Sequence, residues 1–380
     1  MWLIFINFII LGCISFGGPV AHLGYFRKTF VQKLGWIDDR LYVQLITLSQ
    51  FLPGPSSSQV GFAIGYHRKG TLGGIAAFLG FTAPSFLIML LLAMSSDFLS
   101  NNFYFTGATK GLKLLAVIIV ADAVYGMYIS FCKSRLTSII CFTTSLTLFL
   151  IPGIHMQITA LILSAITGSF LLRNTPKIES SFSGINYIAL ITFILILAIT
   201  FIISSNSHLY TIFSDFYQTG SLVFGGGHVV LPLLQGLLGD QISHDKFLVG
   251  YVAAQAVPGP MFSLSAYLGY EIAPSANIIA SFVSTIGIFL PGFLLLIGLK
   301  NAWHGLLDNP LIAGAATAIN ASVVGLILMA LYNPVIKSSV HTLFDLLLAL
   351  SGFYFLKKLK IIYLVIIFSL FGLLFNYLKI

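Results

Sequence analysis

The residues of this 380-residue chain best placed for chemistry are uncharged donors beside breaks in apolar runs. In QFLPGPSSSQ, Gln50 to Gln59, the triplet Pro53-Gly54-Pro55 interrupts a stretch from Leu41 to Tyr66 that holds no Asp, Glu, Lys or Arg. Pro53 and Pro55 lack an N–H and cannot continue a helix, and Gly54 accepts backbone angles that other residues avoid. A helix beginning near Ser56 then points its N-terminus, with free amides and partial positive charge, into the apolar stretch. Such an end suits an anion, and Ser56, Ser57 and Ser58 add hydroxyl donors. The alternative is a packing kink without a ligand, with Gln50 as an interhelical hydrogen bonder.

The same pattern returns later in the chain. Gln255-Ala256-Val257-Pro258-Gly259-Pro260 echoes the first triplet, and Ser263 and Ser265 follow it. Phe16-Gly17-Gly18-Pro19 returns as Phe224-Gly225-Gly226-Gly227, Ile64-Gly65-Tyr66 as Leu268-Gly269-Tyr270, and GFTAPSF from Gly80 as GIFLPGF from Gly287. The separation from Phe16 to Pro53 is 37 residues and that from Phe224 to Pro258 is 34. Four matches in the same order point to a duplicated half. The glycines of the FGG motifs either present amides as an anion nest or pack helices closely. His22 and His228 follow these motifs, as proton relays or as hydrogen-bonded structural residues. Asp122, near the centre of KLLAVIIVADAVYGMYI, is either a proton-coupling site or the partner of a lysine on another helix. Asp215, Asp345, Lys110 and Lys113 fall nearer helix ends and read as interfacial.

The elements that must carry these residues are apolar helices. The composition is 58% hydrophobic and 8% charged, against about 25% charged in a soluble domain. Uncharged runs at 71–96, 185–205, 272–299, 309–336 and 361–378 approach or exceed the roughly 20 residues that span a bilayer. They do not alternate as barrel strands do. The net charge of +8 comes from basic residues between the runs, including Lys357, Lys358 and Lys360, so it speaks for juxtamembrane placement and against nucleic acid. Three cysteines form neither a disulfide framework nor a metal site. The first apolar run, Trp2 to Phe16, reads as a retained helix. No GxxxxGK[ST], HExxH or GxSxG is present, which argues against an enzyme or an ATP-driven pump.

The expected architecture is an all-α integral membrane protein of two homologous helical repeats: a first repeat at 1–178, a linker with a connecting helix at 179–207, and a second repeat at 208–380. Each half carries a helix ending in FGG, a PGP segment and four further helices. Those four fall at about 71–95, 107–130, 136–151 and 156–172 in the first half, and at 276–299, 311–333, 341–356 and 361–378 in the second. If each PGP segment crosses once as a broken helix, the halves are inverted and the chain has 13 crossings. If each is a re-entrant hairpin, the halves are parallel with 11. Inversion is the favoured arrangement, because many secondary carriers use it.

At these residues the chain resembles the chromate ion transporter family. The stretches are SFGGPVAHLGYFRKTFVQKLGWID, QFLPGPSSSQVGFAIGYHRKGTLGG and GFTAPSF in the first half, and FGGGHVVLPLLQ and AQAVPGPMFSLSAYLGY in the second. His22, Arg27, Trp36 and Gln50 match the family pattern, whereas Gly227 stands where the first copy has Pro19. The resemblance implies a two-domain secondary carrier that exports chromate, driven by the membrane potential or the proton gradient. It implies no enzymatic activity, cofactor or metal, and a multi-pass location in the inner or plasma membrane. Sulfate or another small anion is the alternative substrate, and an anion channel the alternative mode. The expected partners are the oxyanion, the lipid bilayer and, as the assembly, a second copy in a homodimer.

Overall fold

The computed structural model describes the backbone of residues 1–100, 103–172, 184–203, 205–224, 227–273, 277–302, 309–356 and 358–378. Gly225, Gly226 and the polar linker at 173–183 lie outside the described residues. Among those described, the structure is helical throughout, with no strand.

The first half contains α1 (Trp2–Ile14), α2 (Gly18–Phe26, continued by a π-helical turn, Arg27–Lys33) and α3 (Asp39–Phe51). It continues with α4 (Ser56–Ser100), α5 (Phe103–Phe131), α6 (Arg135–Leu150) and α7 (Ile154–Leu171). Helix α8 (Tyr187–Ile202) follows. The second half contains α9 (His208–Leu222), α10 (Val230–Leu238), α11 (His244–Ala256), α12 (Leu264–Ile272) and α13 (Asn277–Leu299). It ends with α14 (Pro310–Ala330), α15 (Leu343–Leu356) and α16 (Ile361–Leu378). These bounds fall close to the apolar runs of the sequence. Side-chain caps set several starts: Asp38 accepts from the Leu41 amide at 2.6 Å, Ser243 from that of Lys246 at 3.3 Å and Asn309 from that of Leu311 at 3.0 Å.

Helix α4 is two helices. Lys69 (φ −148°, ψ 30°) and Gly70 (φ 61°, ψ −154°) leave the helical region, and the chain reverses there. Segments 56–68 and 71–100 then pack side by side, with Gly74 against the Phe62 ring and Gly65 against Gly73 and Ala77. Neither arm of the PGP segment, α3 or 56–68, reaches the length of a spanning helix.

Among the described residues, five helical stretches have the length and apolarity to cross a membrane: the part of Ser56–Ser96 that follows the reversal at Gly70, Thr106–Phe131, Ile154–Leu171, Ile278–Leu299 and Pro310–Ser339. Ile188 and Ile202 of α8 are 80% and 79% exposed, an apolar flank suited to lipid and not to water.

The two halves are interleaved through small residues, the usual means of close helix approach in lipid. Helix α5 of the first half packs on α16 of the second, where Gly111 faces the Phe368 carbonyl and Gly372 faces the backbone of Gly107 and Gly111. Helix α14 of the second half packs on α7 of the first, where Gly168 faces Gly314 and Ala318. Within the halves, Gly12 of α1 abuts the Phe81 carbonyl of α4, and Gly220 of α9 abuts the Ile288 carbonyl of α13.

Candidate functional site

The motif residues meet at two backbone crossings. Helix α1 ends at Ser15, and Gly17 (φ 102°) and Gly18 (φ 77°) turn the chain into α2 through the left-handed region. Among the described residues no neighbour lies within 4 Å of a Cβ built at Gly18, so Gly18 serves the turn and not close packing, whereas a Cβ at Gly17 would stand 3.2 Å from that of Ala21. The amide of Gly259 donates to the Ser15 carbonyl at 2.9 Å, and that of Gly54 to the Val223 carbonyl at 2.7 Å. Each PGP break is thus held by the residue that precedes the other half's FGG motif. A Cβ at Gly54 would stand 2.9 Å from Gly292 Cα, and one at Gly259 would stand 2.9 Å from Ser85 Oγ. Ser85 and Gly292 each follow the proline of the matched GFTAPSF and GIFLPGF stretches.

Around the first crossing lies a closed polar cluster. His22 is 1% exposed, its Nδ1 sits 3.2 Å from Ser57 Oγ, and its ring stands edge-on to Phe81 at 5.2 Å. Ser57 and Ser58 are buried because the 56–68 helix turns under α1 and α2, where Gly61 faces Phe8 and Phe26. The hydroxyls of Ser15, Ser58 and Thr82 are buried there without a hydrogen-bond partner among the described residues. Unpaired buried polar atoms are costly and rare. Gln59 closes the other side, donating from Nε2 to the carbonyls of Pro53 at 2.9 Å and Gly292 at 3.1 Å.

On the other side of the first FGG motif a cavity of about 630 Å³ opens. It is lined by Phe16 and Gly17 from the first half and by His228 and Gln255 from the second, with Asp122 of α5 and Lys360 just before α16. Tyr25, Tyr363 and aliphatic side chains complete the wall. Its volume lies within the roughly 300–1,000 Å³ usual for small-ligand sites. His228 Nδ1 lies 2.7 Å from the Tyr251 hydroxyl, and Gln255 Nε2 lies 3.4 Å from the same nitrogen and 2.6 Å from Met261 Sδ. Asp122 has no hydrogen bond or ion pair among the described residues.

Ser56, Ser57 and Ser58 do not line the cavity that Gln255 of the second PGP segment faces. Phe16, Gly17, Asp122, His228 and Gln255 share the cavity, whereas His22, Ser57 and Ser58 form the closed cluster beside it. Gly18, Pro19, Pro53, Ser56 and Pro258 are half-buried, and Gly54, Pro55, Gly259, Pro260 and Ser263 are buried at the crossings. Gln50 is exposed and joins neither group. Lys360, Tyr25, Tyr251 and Tyr363 were not singled out as site residues from the sequence. Lys360 looks there like one more juxtamembrane lysine.

Several of the remaining charges are paired. Lys113 Nζ meets Asp245 at 2.7 Å, so both hold each other at one end of α5 and α11. Lys246 meets Glu271 at 2.7 Å, and Ser96 Oγ donates to the same carboxylate. Arg27 binds Asp39 through two hydrogen bonds of 2.8 and 3.0 Å, and Arg68 lies over the Trp36 ring at 5.3 Å. Asp345 accepts from the amides of His341 and Thr342 as a helix cap.

Apolar helices with lipid-suited flanks, two broken segments and a polar cavity built by both halves define a multi-pass membrane transport protein. The chromate transporter family model matches residues 2–169 and 210–374, and the chain belongs to that family. This is a transport family and not an enzymatic one, and its members sit in the plasma membrane. The chain is 24% identical to a chromate transport protein of Pseudomonas aeruginosa, over 85% of this chain and 78% of the relative. It is 26% identical to a chromate transport protein of Cupriavidus metallidurans, over 93% and 87%. It is 25% identical to an uncharacterized transporter of Methanocaldococcus jannaschii, over 85% and 82%. No solved structure matches the chain significantly.

Proposed function

We propose that the chain is a secondary carrier that exports chromate, with efflux driven by the proton-motive force. The observation that carries this reading is the cavity in which the first FGG motif, the second PGP segment's Gln255, His228 and Asp122 come together. The named relatives supply the substrate: chromate is a tetrahedral dianion, and the cavity offers a lysine, an amide and a neutral-capable imidazole as donors. The reading takes the two halves as duplicate repeats. The reciprocal Gly54–Val223 and Gly259–Ser15 bonds and the two stretches matched by the family model support that. Asp122 is the proton-coupling residue on this reading, because a carboxylate without a partner inside a membrane helix is costly unless it is used. The closed cluster of His22, Ser57 and Ser58 is the second part of the path, the Ser58 hydroxyl and those of Ser15 and Thr82 being met by the passing anion.

Cells that produce the protein should accumulate less chromate than cells that do not, and Asp122→Asn should remove the difference. Equal accumulation with and without the wild-type protein contradicts export. Sulfate, which shares charge and shape with chromate, is the alternative cargo, since hydrogen-bond donors alone separate the two poorly.

A further inference from the structure

We infer that Lys360 and Asp122 form a charge-exchange pair in the cavity: the oxyanion takes Lys360 as its counter-charge and Asp122 takes up a proton, so that one anion and one proton are carried together. The inference rests on the proposed oxyanion site and adds to it a positioning cation and the sense of the coupling.

The argument starts from the charges that face the cavity. Among the described residues that line it, Lys360 is the one lysine or arginine and Asp122 the one carboxylate, and the two reach it from different halves. Neither has an ion pair or a side-chain hydrogen bond among the described residues. A dianion entering the cavity is drawn to Lys360 and repelled by ionised Asp122. Both effects favour the state in which the anion is bound and Asp122 is protonated. Linkage makes this reciprocal: the proton strengthens anion binding by the factor with which the anion strengthens proton binding.

Among the described residues, no other charge lines the cavity. Facing Asp122 across the cavity are Tyr25 of α2, His228, and Lys360 and Tyr363 at the start of α16, with Gln255 from α11. On α11 the charged residues Asp245 and Lys246 lie at its opposite end, bound to Lys113 and Glu271. On α15, Asp345 caps its own helix, and α14 carries no charged residue. Lys337 and Tyr332 follow α14, Arg68 and Lys69 lie at the turn of α4, and Lys110, Lys113 and Tyr125 belong to α5 itself; none of these lines the cavity.

Co-transport has a consequence for the driving force. A dianion moving with one proton still carries one net negative charge outward. An inside-negative membrane potential drives that movement, whereas an outside-acid pH gradient opposes it. The electrical part of the proton-motive force is therefore the part that powers export.

The test is titration calorimetry of the purified full-length protein with sulfate, repeated in buffers of different ionisation enthalpy to count protons. Sulfate stays a dianion throughout, whereas chromate itself titrates. The wild type should take up close to one proton per anion, and its affinity should rise as pH falls, by at most about tenfold per unit for one proton taken up. Asp122→Asn should bind sulfate without proton uptake and with little pH dependence. Lys360→Gln should bind at least about tenfold more weakly. Proton release in the wild type, or unchanged proton uptake in Asp122→Asn, overturns the inference while leaving the oxyanion site intact. Absence of binding by sulfate, and by chromate at alkaline pH, overturns the site and the inference together.

Discussion

The amide of Gly54 donates to the carbonyl of Val223 across 2.7 Å, binding the break in the first PGP segment to the residue before the second FGG motif. The Gly259–Ser15 bond of 2.9 Å does the same in the opposite sense. Backbone groups freed by a helix break inside a membrane must be met by protein or water. Here each break satisfies part of its need on the other half of the chain. Neither half can build the site alone.

The crossings leave no room for a side chain. At Gly54, with φ 119° and a Cβ position 2.9 Å from Gly292 Cα, alanine meets both left-handed strain and backbone. Together these cost about 2–5 kcal/mol. Gly54→Ala should markedly lower the midpoint of thermal unfolding in detergent. Gly18→Ala, at φ 77° but facing open space, should cost only the strain, about 1–2 kcal/mol. Equal loss in the two variants would show that the close contact at Gly54 contributes nothing.

Ser57 and Ser58 are adjacent and both buried, yet they should respond differently to alanine. Ser57 is the hydrogen-bond partner of His22 Nδ1, and its loss leaves a buried ring nitrogen unmatched, at about 1–3 kcal/mol. The Ser58 hydroxyl has no partner, so Ser58→Ala should leave stability unchanged or slightly raised. If that hydroxyl meets the passing anion, Ser58→Ala should nevertheless raise the half-saturating chromate concentration. Thermal unfolding and transport measured on the same preparations separate the two effects.

The Lys246–Glu271 pair clasps α11 to α12, and Ser96 of α4 joins it on a carboxylate only 4% exposed. Lys246 is 34% exposed, so Lys246→Ala should cost about 2–3 kcal/mol, less than the loss of one partner from a fully buried pair. The exchanged double variant Lys246→Glu with Glu271→Lys should recover part of that loss. Denaturation midpoints of the two variants and the wild type check this, and no recovery in the double variant would count against a charge-specific clasp.

Much of this architecture is legible in the sequence because membrane helices announce themselves by apolar length. The runs at 107–130, 136–151 and 361–378 appear as α5, α6 and α16 with ends displaced by at most a few residues. The prolines and glycines at 53–55 and 258–260 fall between helix ends, Phe51 and Ser56 in one case and Ala256 and Leu264 in the other, because they act through local backbone chemistry. What the chain does not disclose is which break meets which partner. The Gly54–Val223 contact joins residues from opposite halves, and no local pattern encodes it. The grouping of Asp122 with Lys360 has the same origin. Asp122 stands out as a lone acid in an apolar helix, whereas Lys360 is hidden in a basic cluster and gains its place only when α16 packs on α5. Gln50, prominent by its spacing, lies exposed, while its counterpart Gln255 lines the cavity. The PGP motif fixes the backbone break but not what the preceding helix faces.

The most direct test of a carrier site built by both halves is the flux of labelled chromate into proteoliposomes under an imposed, interior-positive potential. The wild type should show flux that saturates with chromate and is inhibited by sulfate. Gln255→Ala should raise the half-saturating concentration about tenfold, equivalent to roughly 1.4 kcal/mol, without loss of thermal stability. Flux that never saturates, or that is the same in wild type and Gln255→Ala, would contradict the account.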